Sequence, residues 1–215
     1  MVASRLSWDN FGPMVATAAW KGGFYAASRQ AFIGDGATTN GTMWQSHFSS
    51  FTPILDFIHA LTYVFASATT GREFTAGWEC YVRWITWVWQ GQVDGVIREL
   101  EERQLVLGEP SVEDSATHPR QVVKRAHDYL QNNQSRMKYA EYRTQGLPIN
   151  SSDVESTVKP FNDRVKGTEK FWNEQGAEEI LQLRADHLSD DEPLAAFWKR
   201  RETAETGQNR YSTAA

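Results

Sequence analysis

The pattern of apolar and polar positions changes along the chain, and each change predicts a different element. Residues 31–34 form a short apolar run that ends in Asp35-Gly36, which predicts a buried strand with Asp35 at its carboxyl end. The alternative is an Asp-Gly hairpin turn, but residues 38–41 lack the alternation of a partner strand. We therefore expect one or two early strands, with the strand at 31–34 delivering an aspartate.

Helical spacing begins at Phe51, and Pro53 is acceptable in the first turn of such a helix. Asp56 and His59 stand three residues apart and so share one face of it. This pair is interpreted either as a surface ion pair or as two groups with a chemical role. The apolar positions that give the spacing are Ile54, Leu55, Ile58, Leu61, Phe65 and Ala68.

The aromatic stretch 77–100 predicts one long, heavily buried helix, in which Gly91 and Gly95 allow close packing or a bend. Its expected buried stripe consists of Trp78, Val82, Ile85, Val88, Trp89, Val96 and Leu100. Residues 108–119 are polar and predict a linker. Residues 120–145 predict a further long helix, and Gly146 suits a left-handed cap at its end.

Three shorter helices complete the pattern. One begins near Ser152 and is interrupted by Pro160, and the others cover residues 174–188 and 193–201. Residues 202–215 predict a disordered tail. The fold class expected from the pattern is mainly α with a small β part.

Composition narrows the class of protein. The only cysteine, Cys80, excludes an internal disulfide and fits a cytoplasmic location, and the five histidines are too scattered for a dedicated metal cage. The longest apolar stretch, 75–97, is interrupted by polar and charged residues, so no membrane span is expected. The net charge is −5, yet residues 118–170 carry 10 basic and 6 acidic side chains. That segment is either a DNA-facing surface or a solvated helix face.

The basic segment contains Ser152-Asp153-Val154-Glu155, which has two interpretations. S-x-x-E is typical of a capping box, in which the serine and the glutamate satisfy free amide hydrogens at a helix start. The second interpretation is that Glu155 holds a metal ion together with Asp35, because Mg²⁺ takes carboxylate oxygens from separate elements.

The order of several stretches resembles a known family. They are "IGDGAT" at 33–38, "ILDFIHAL" at 54–61, "WQGQVDGVI" at 89–97, "RMKYAEYRTQGLPINSSDVESTVKPFNDRVKG" at 136–167 and "FWNEQGAEEILQLRADHLSDDEPLAAFWKRR" at 171–201. Together they resemble bacterial insertion-sequence transposases of the mutator-like group, which have an RNase H-like DDE domain. The resemblance runs from about residue 34 to residue 201 and is collinear.

The resemblance implies roles for particular residues. Asp35 corresponds to the second catalytic aspartate and Glu155 to the final glutamate, both ligands of Mg²⁺ or Mn²⁺ in an active enzyme. Asp56 and His59 match the family's Cys/Asp-x-x-His element. Basic positions of the glutamate helix, expected to lie along DNA phosphates, correspond to Lys159, Arg164 and Lys166. The implied activity is metal-dependent DNA cleavage and strand transfer during transposition.

The resemblance also implies an organisation into domains. Residues 1–50 are expected to be part of an RNase H-like core and residues 51–145 a helical insertion. Residues 146–201 would be the carboxyl-terminal part of that core, with the glutamate helix, and residues 202–215 the tail. The fold expected is thus an incomplete RNase H-like fold interrupted by a large all-helical insertion.

Three departures from the family predict that the protein is inactive. Asp9 is the only acidic residue before Asp35, so the family's first aspartate and its strand are absent, and the chain is expected to be an N-terminally truncated transposase. The family's Gly-Ser-Gly before the glutamate is Asn150-Ser151-Ser152 here. Pro160 enters the glutamate helix, at a cost of about 3 kcal/mol in a helix interior.

Two alternatives stay open. One is a non-catalytic helical protein that binds DNA or inhibits an intact transposase, and the other is a standalone helical domain with an unrelated role. A homo-oligomer is a further expected partner. Salt-sensitive DNA binding would distinguish the first alternative from the second.

Overall fold

The computed structural model describes residues 1–152, 156, 158, 165, 171–189 and 192–204. The chain divides into two compact units. One is Gly23–Ser152, and the other combines Met1–Gly22 with the described residues after Ser152. The described part is mainly helical with one small parallel sheet of two strands.

The unit Gly23–Ser152 begins with a short 3-10 helix, Phe24–Ala26, followed by a strand-helix-strand motif. Strand β1 is Ala31–Gly34, helix α2 is Thr38–His47, and strand β2 is Thr52–Leu55. The strands run parallel, with Ala31 opposite Thr52 and Gly34 opposite Leu55. The expected strand at 31–34 is confirmed, although its residues are only half-buried.

Residues 52–55 form a strand, so the prediction of a helix from Phe51 is wrong at its start. Proline lacks an amide hydrogen and is tolerated in an edge strand, which lets Pro53 lie in β2. Helix α3 starts only at Phe57 and ends at Thr69, with Asp56 as its N-cap. Ile54 and Leu55 are buried as predicted, but they are buried as strand residues.

The remaining elements of this unit form a helical layer. They are α4 Phe74–Trp89, α5 Val93–Leu107, α6 Pro119–Asn133, a 3-10 turn Gln134–Arg136, and α7 Tyr139–Thr144. Helix α3 packs against α4 and α6, and α5 packs against α6. Fully buried side chains at the centre include Val64, Trp84, Val88, Val96, Leu100, Val123 and Leu130.

The aromatic stretch is two helices, where one was predicted. Gly91 has φ of +76°, a left-handed conformation that favours glycine, and it separates α4 from α5. The buried stripe of α4 also differs from the prediction: Gly77, Cys80, Trp84 and Val88 face the core. Trp78, Val82 and Trp89 from the predicted stripe are exposed.

The helix predicted at 120–145 is likewise divided, because the backbone tightens at Gln134–Arg136 between α6 and α7. The predicted left-handed cap at Gly146 is confirmed by its φ of +67°. The amide of Leu147 donates to the carbonyl of Tyr142 at 2.9 Å, a bond typical of a Schellman cap. The predicted polar linker falls between α5 and α6, as expected.

In the second unit, helix α1 is Trp8–Lys21, helix α8 is Glu174–His187 and helix α9 is Pro193–Ala204. The two late helices were predicted, and both begin at the expected residue. Glu178 of α8 accepts hydrogen bonds from the amide of Arg5 and the hydroxyl of Ser4, both at 2.7 Å. The hydrogen bond from the amide of Arg5 is the largest cause that lowers the pKa of Glu178, and the bond from the Ser4 hydroxyl lowers it further.

Some predictions fall outside the described residues. They include Pro160, most of the helix expected from Ser152, and residues 205–215 of the expected tail. Within the described ranges, no helix has the length and apolar character needed to cross a membrane.

Candidate functional site

Two aspartates follow the two parallel strands at the same edge of the sheet. Asp35 comes directly after β1 and Asp56 directly after β2. The amide of Asp56 donates to the carbonyl of Gly34 at 2.8 Å, which extends the strand pairing by one residue. The carboxyl ends of parallel strands are a common position for binding residues in open sheets, so this edge is the candidate functional site.

Asp35 is exposed, and one of its two carboxylate oxygens is engaged. Oδ1 accepts from the amide of Ala37 at 2.9 Å and from Nδ2 of Asn40 at 2.8 Å. Among the described residues, no hydrogen bond reaches Oδ2. This oxygen is therefore available to a ligand, as the predicted role of Asp35 requires.

The turn after Asp35 depends on a glycine. Gly36 has φ of +88°, and a Cβ placed there would meet side-chain atoms of Leu55 and Tyr129 at 3.0 Å. Both the backbone conformation and the lack of space favour glycine at this position. The turn that follows Asp35 therefore lies close against β2 and α6.

Asp56 is buried, with 2% of its surface exposed, and both its oxygens are engaged. Oδ1 accepts from the amide of His59 at 2.8 Å, which caps α3. Oδ2 accepts from the amide of Ser151 at 2.6 Å and from its hydroxyl at 2.7 Å. Three donors thus satisfy this carboxylate, as burial of a charged group requires.

The link between Asp56 and His59 runs through the backbone amide, so the expected surface ion pair is wrong. The carboxylate of Asp56 caps the buried start of α3 through the backbone amide of His59, and not through its ring. That ring lies against Tyr63 and Tyr129, with centroid distances of 5.8 Å and 6.0 Å. The Asp-x-x-His spacing therefore reflects a helix cap in this chain.

Ser151 and its neighbours bring a distant part of the chain to the same edge. The amide of Phe57 donates to the carbonyl of Ile149 at 2.9 Å, next to the two bonds between Ser151 and Asp56. Ser152 already has helical backbone. The segment that leads towards Glu155 is thus fixed to the carboxyl end of β2.

The predicted capping box is only partly described. The hydroxyl and the amide of Ser152 both donate to Oδ1 of Asn150, at 2.6 Å and 3.2 Å. Asn150 therefore satisfies the amide of Ser152 itself, and the amides that the Ser152 hydroxyl was predicted to satisfy lie outside the described residues. Glu155, the other half of the box, lies outside the described residues.

Tyr129 of α6 joins the site to the helical layer. Its ring stacks on Tyr63 with centroids 3.8 Å apart, and its hydroxyl donates to the backbone carbonyl of Asp35 at 2.8 Å. Burial, followed by the nearby phenol of Tyr63 and carboxylate of Asp35, raises the pKa of Tyr129. The phenol therefore stays protonated and keeps its bond to Asp35 across the physiological range.

A polar cavity of about 420 Å³ opens beside this turn, between α2 and α6. Its wall includes Thr38 and Thr42 of α2 and the basic side chain of Arg136. Arg136 also donates to the side chain of Asn133, which holds the guanidinium in place. No local signal in the sequence points to Tyr129 or Arg136, because both lie about 95 residues or more after Asp35 in the chain.

The predicted metal ligands are only partly described. Asp35 offers one oxygen, both oxygens of Asp56 are engaged, and Glu155 lies outside the described residues. Within the described part of the chain, no group of three His, Cys, Asp or Glu side chains is placed to hold a metal ion. The predicted DNA-contacting residues Lys159, Arg164 and Lys166 also lie outside it.

No protein-family model, curated protein or solved structure matches this chain.

Proposed function

We propose that this protein is derived from a DDE-type DNA transposase with an RNase H-like core, and that its 215 residues bind transposon DNA without cleaving it. The observation that carries the proposal is the attachment of Ser151 to Asp56, 95 residues apart in the chain. It supports the proposal because it brings the approach to Glu155 to the strand edge where Asp35 lies. A DDE site needs these two parts of the chain at one edge.

The strand-helix-strand motif supports the same proposal. Its two strands are parallel and adjacent, and the helical layer of α3 to α6 follows them in the chain. This is the order expected of an RNase H-like core that is interrupted by a helical insertion. The small parallel sheet and the helical layer are observed, and the RNase H-like core is part of the proposal.

The proposal of no cleavage rests on the carboxylates. Mg²⁺ bound by Asp35 and Glu155 would supply the charge that activates an attacking oxygen and stabilises a leaving oxygen. A third carboxylate is needed to place two such ions. Asp56, the other carboxylate at this edge, is fully engaged by protein donors. The chain's own residues therefore favour binding over catalysis.

The test is DNA binding with the chain's own candidate ends. The DNA that flanks the gene is searched for inverted repeats, and these are synthesised as fluorescent duplexes. We expect anisotropy to show binding that weakens with salt. The triple variant Lys159→Ala, Arg164→Ala, Lys166→Ala should lower the dependence of log affinity on log salt by about one for each phosphate that is no longer neutralised. Arg98→Ala, an exposed cation of α5, is the matched control.

Equal binding of repeats and scrambled duplexes, or a triple variant that behaves like Arg98→Ala, would contradict the proposal. Joining of labelled ends with Mg²⁺ that disappears in Asp35→Ala would show that the protein is catalytic. Co-purification with an intact transposase in the absence of DNA binding would favour the alternative of an inhibitory partner.

A further inference from the structure

Helix α4 is apolar on two sides, which is unusual for a helix at a protein surface. The inner stripe of Gly77, Cys80, Trp84 and Val88 faces the core. The outer stripe, defined here as Phe74, Trp78, Val82, Ile85 and Trp89, follows helical spacing along the whole helix. A surface helix normally carries one apolar stripe, which faces the core, and polar residues on the opposite face.

Four of the five residues of the outer stripe are exposed, whereas Ile85 is partly buried against the core, and the guanidinium of Arg143 lies over the Trp89 ring at 3.6 Å. Phe74 is 81% exposed, Trp78 48%, Val82 45% and Trp89 42%. It is continuous with α3 through ring contacts: Phe65 meets Tyr81 at 5.2 Å, and Tyr81 meets Trp78 at 5.5 Å. Phe65 is itself 46% exposed. These residues form one connected apolar patch on the outer side of α3 and α4.

We propose that the outer stripe is a homodimer interface in which α4 packs antiparallel against α4 of a second copy. The spacing of the stripe is nearly the same from either end of the helix. A two-fold axis near Val82 therefore places Phe74 of one copy opposite Trp89 of the other. Isologous interfaces of this kind are the commonest in soluble oligomers.

The area is sufficient for such an interface. Aromatic side chains present about 150–250 Å² each, so these exposed fractions leave about 500 Å² of apolar side chain per copy. Two copies together reach about 1,000 Å², the lower limit for a specific protein interface. Helix α4 has 16 residues and a length of about 24 Å, which accommodates the whole interface.

Charge favours a second copy over a nucleic acid. Glu79 and Arg83 lie on one flank of the stripe, and Arg83 donates to Glu99 at 2.5 Å. In an antiparallel pair about Val82, Glu79 of each copy lies opposite the helical turn that carries Arg83 of the other. A single-stranded nucleic acid would need a basic track beside the aromatic rings, whereas this flank carries both signs.

The mass of the full 215-residue chain in solution tests the interface. We expect light scattering to give twice 24.5 kDa for the wild type, with the monomer appearing on dilution. Val82→Glu should raise the dissociation constant at least about 100-fold, because it buries two unpaired carboxylates at the two-fold axis. Val106→Glu is the matched control, since Val106 of α5 is 86% exposed and lies outside the patch.

Cross-linking gives a second measurement. Val82→Cys should form a disulfide-linked dimer under mild oxidation, and Val106→Cys should not. A wild type that is monomeric at all concentrations would overturn the proposal, since the patch is then covered by something other than a second copy. A dimer that survives Val82→Glu unchanged would place the interface elsewhere and would overturn it as well.

Discussion

The two strand ends carry the same residue type in opposite settings. After β1, Asp35 is exposed and uses one oxygen in a local turn with Ala37 and Asn40. After β2, Asp56 is buried and uses both oxygens to hold the starts of two segments, α3 and the approach to Glu155. Neighbouring positions on one sheet edge can therefore carry an aspartate free for a ligand and an aspartate with a structural role.

The difference follows from what lies beyond each strand. A turn through Gly36 leads from β1 into a surface helix, so its aspartate remains in solvent. Strand β2 runs directly into α3, whose buried residues place the helix start within the core. An aspartate there is required to be fully hydrogen-bonded. Substitutions at the two aspartates and at their partners test this contrast.

The largest effect is expected for Asp56→Asn. The oxygen of the asparagine side chain can still accept from the backbone amide of His59. Its NH₂ group, however, faces the backbone N–H of Ser151, so two hydrogen-bond donors meet without an acceptor. We expect the free energy of unfolding to fall by about 2–3 kcal/mol, since a buried group is left unsatisfied and a charged hydrogen bond is removed. Urea unfolding followed by circular dichroism measures it. A decrease below about 0.5 kcal/mol would show that Asp56 does not have this role.

The next effect is expected for Ser151→Ala. It removes the hydroxyl donor to Asp56 and leaves the amide donor in place, so we expect the free energy of unfolding to fall by about 1.5 kcal/mol. Ser152→Ala is the control, because among the described residues that hydroxyl bonds to Asn150 at an exposed position. In a double-mutant cycle, Ser151→Ala should cost clearly less in the Asp56→Asn background. Equal costs in both backgrounds would mean that the two residues are not coupled.

The sequence predicted the elements that depend on local signals. The apolar run before Asp35-Gly36 is a strand, the glycine at 146 ends a helix in the left-handed conformation, and the late helices begin where expected. Each of these depends on residues within one or two turns. Asp35 was placed at the end of a strand for the same reason.

The features that the sequence did not predict depend on distant parts of the chain. Residues 52–55 alternate too briefly to distinguish a strand from a helix start, and pairing with β1 decides the outcome. Four of the five residues of the outer stripe of α4 were expected to be buried, because hydrophobicity alone cannot distinguish two apolar sides of one helix. The role of Asp56 likewise requires Ser151, which no local pattern connects to it.

A smaller effect is expected for Tyr129→Phe, which tests how Asp35 is held. It removes the hydrogen bond to the Asp35 carbonyl and should lower the free energy of unfolding by about 1 kcal/mol at pH 7. Tyr139→Phe is the matched control, because the buried hydroxyl of Tyr139 has no hydrogen-bond partner among the described residues. Its removal should leave the free energy of unfolding unchanged or increase it.

Tyr129→Phe also has an expected effect at alkaline pH. The pKa of Tyr129 is raised in the folded protein, mainly by burial, so the folded state keeps a proton that the unfolded chain releases near pH 10. The contribution of this group to stability is therefore complete below about pH 10 and falls as the pH rises above it. Tyr129→Phe should flatten this fall, and a wild-type stability that rises there would contradict the burial of the phenol.

The smallest effect is expected for Asp35→Asn, the counterpart of the substitution at Asp56. An asparagine oxygen can accept the same hydrogen bonds from Ala37 and Asn40, and its NH₂ group reaches solvent where the free oxygen was. We expect the free energy of unfolding to change by less than about 0.5 kcal/mol, as at other exposed positions. A decrease as large as that of Asp56→Asn would remove the contrast between the two aspartates. A near-zero change would show that the stability of the fold does not depend on the Asp35 carboxylate. Asp35 is then the carboxylate at this edge that is available to a ligand.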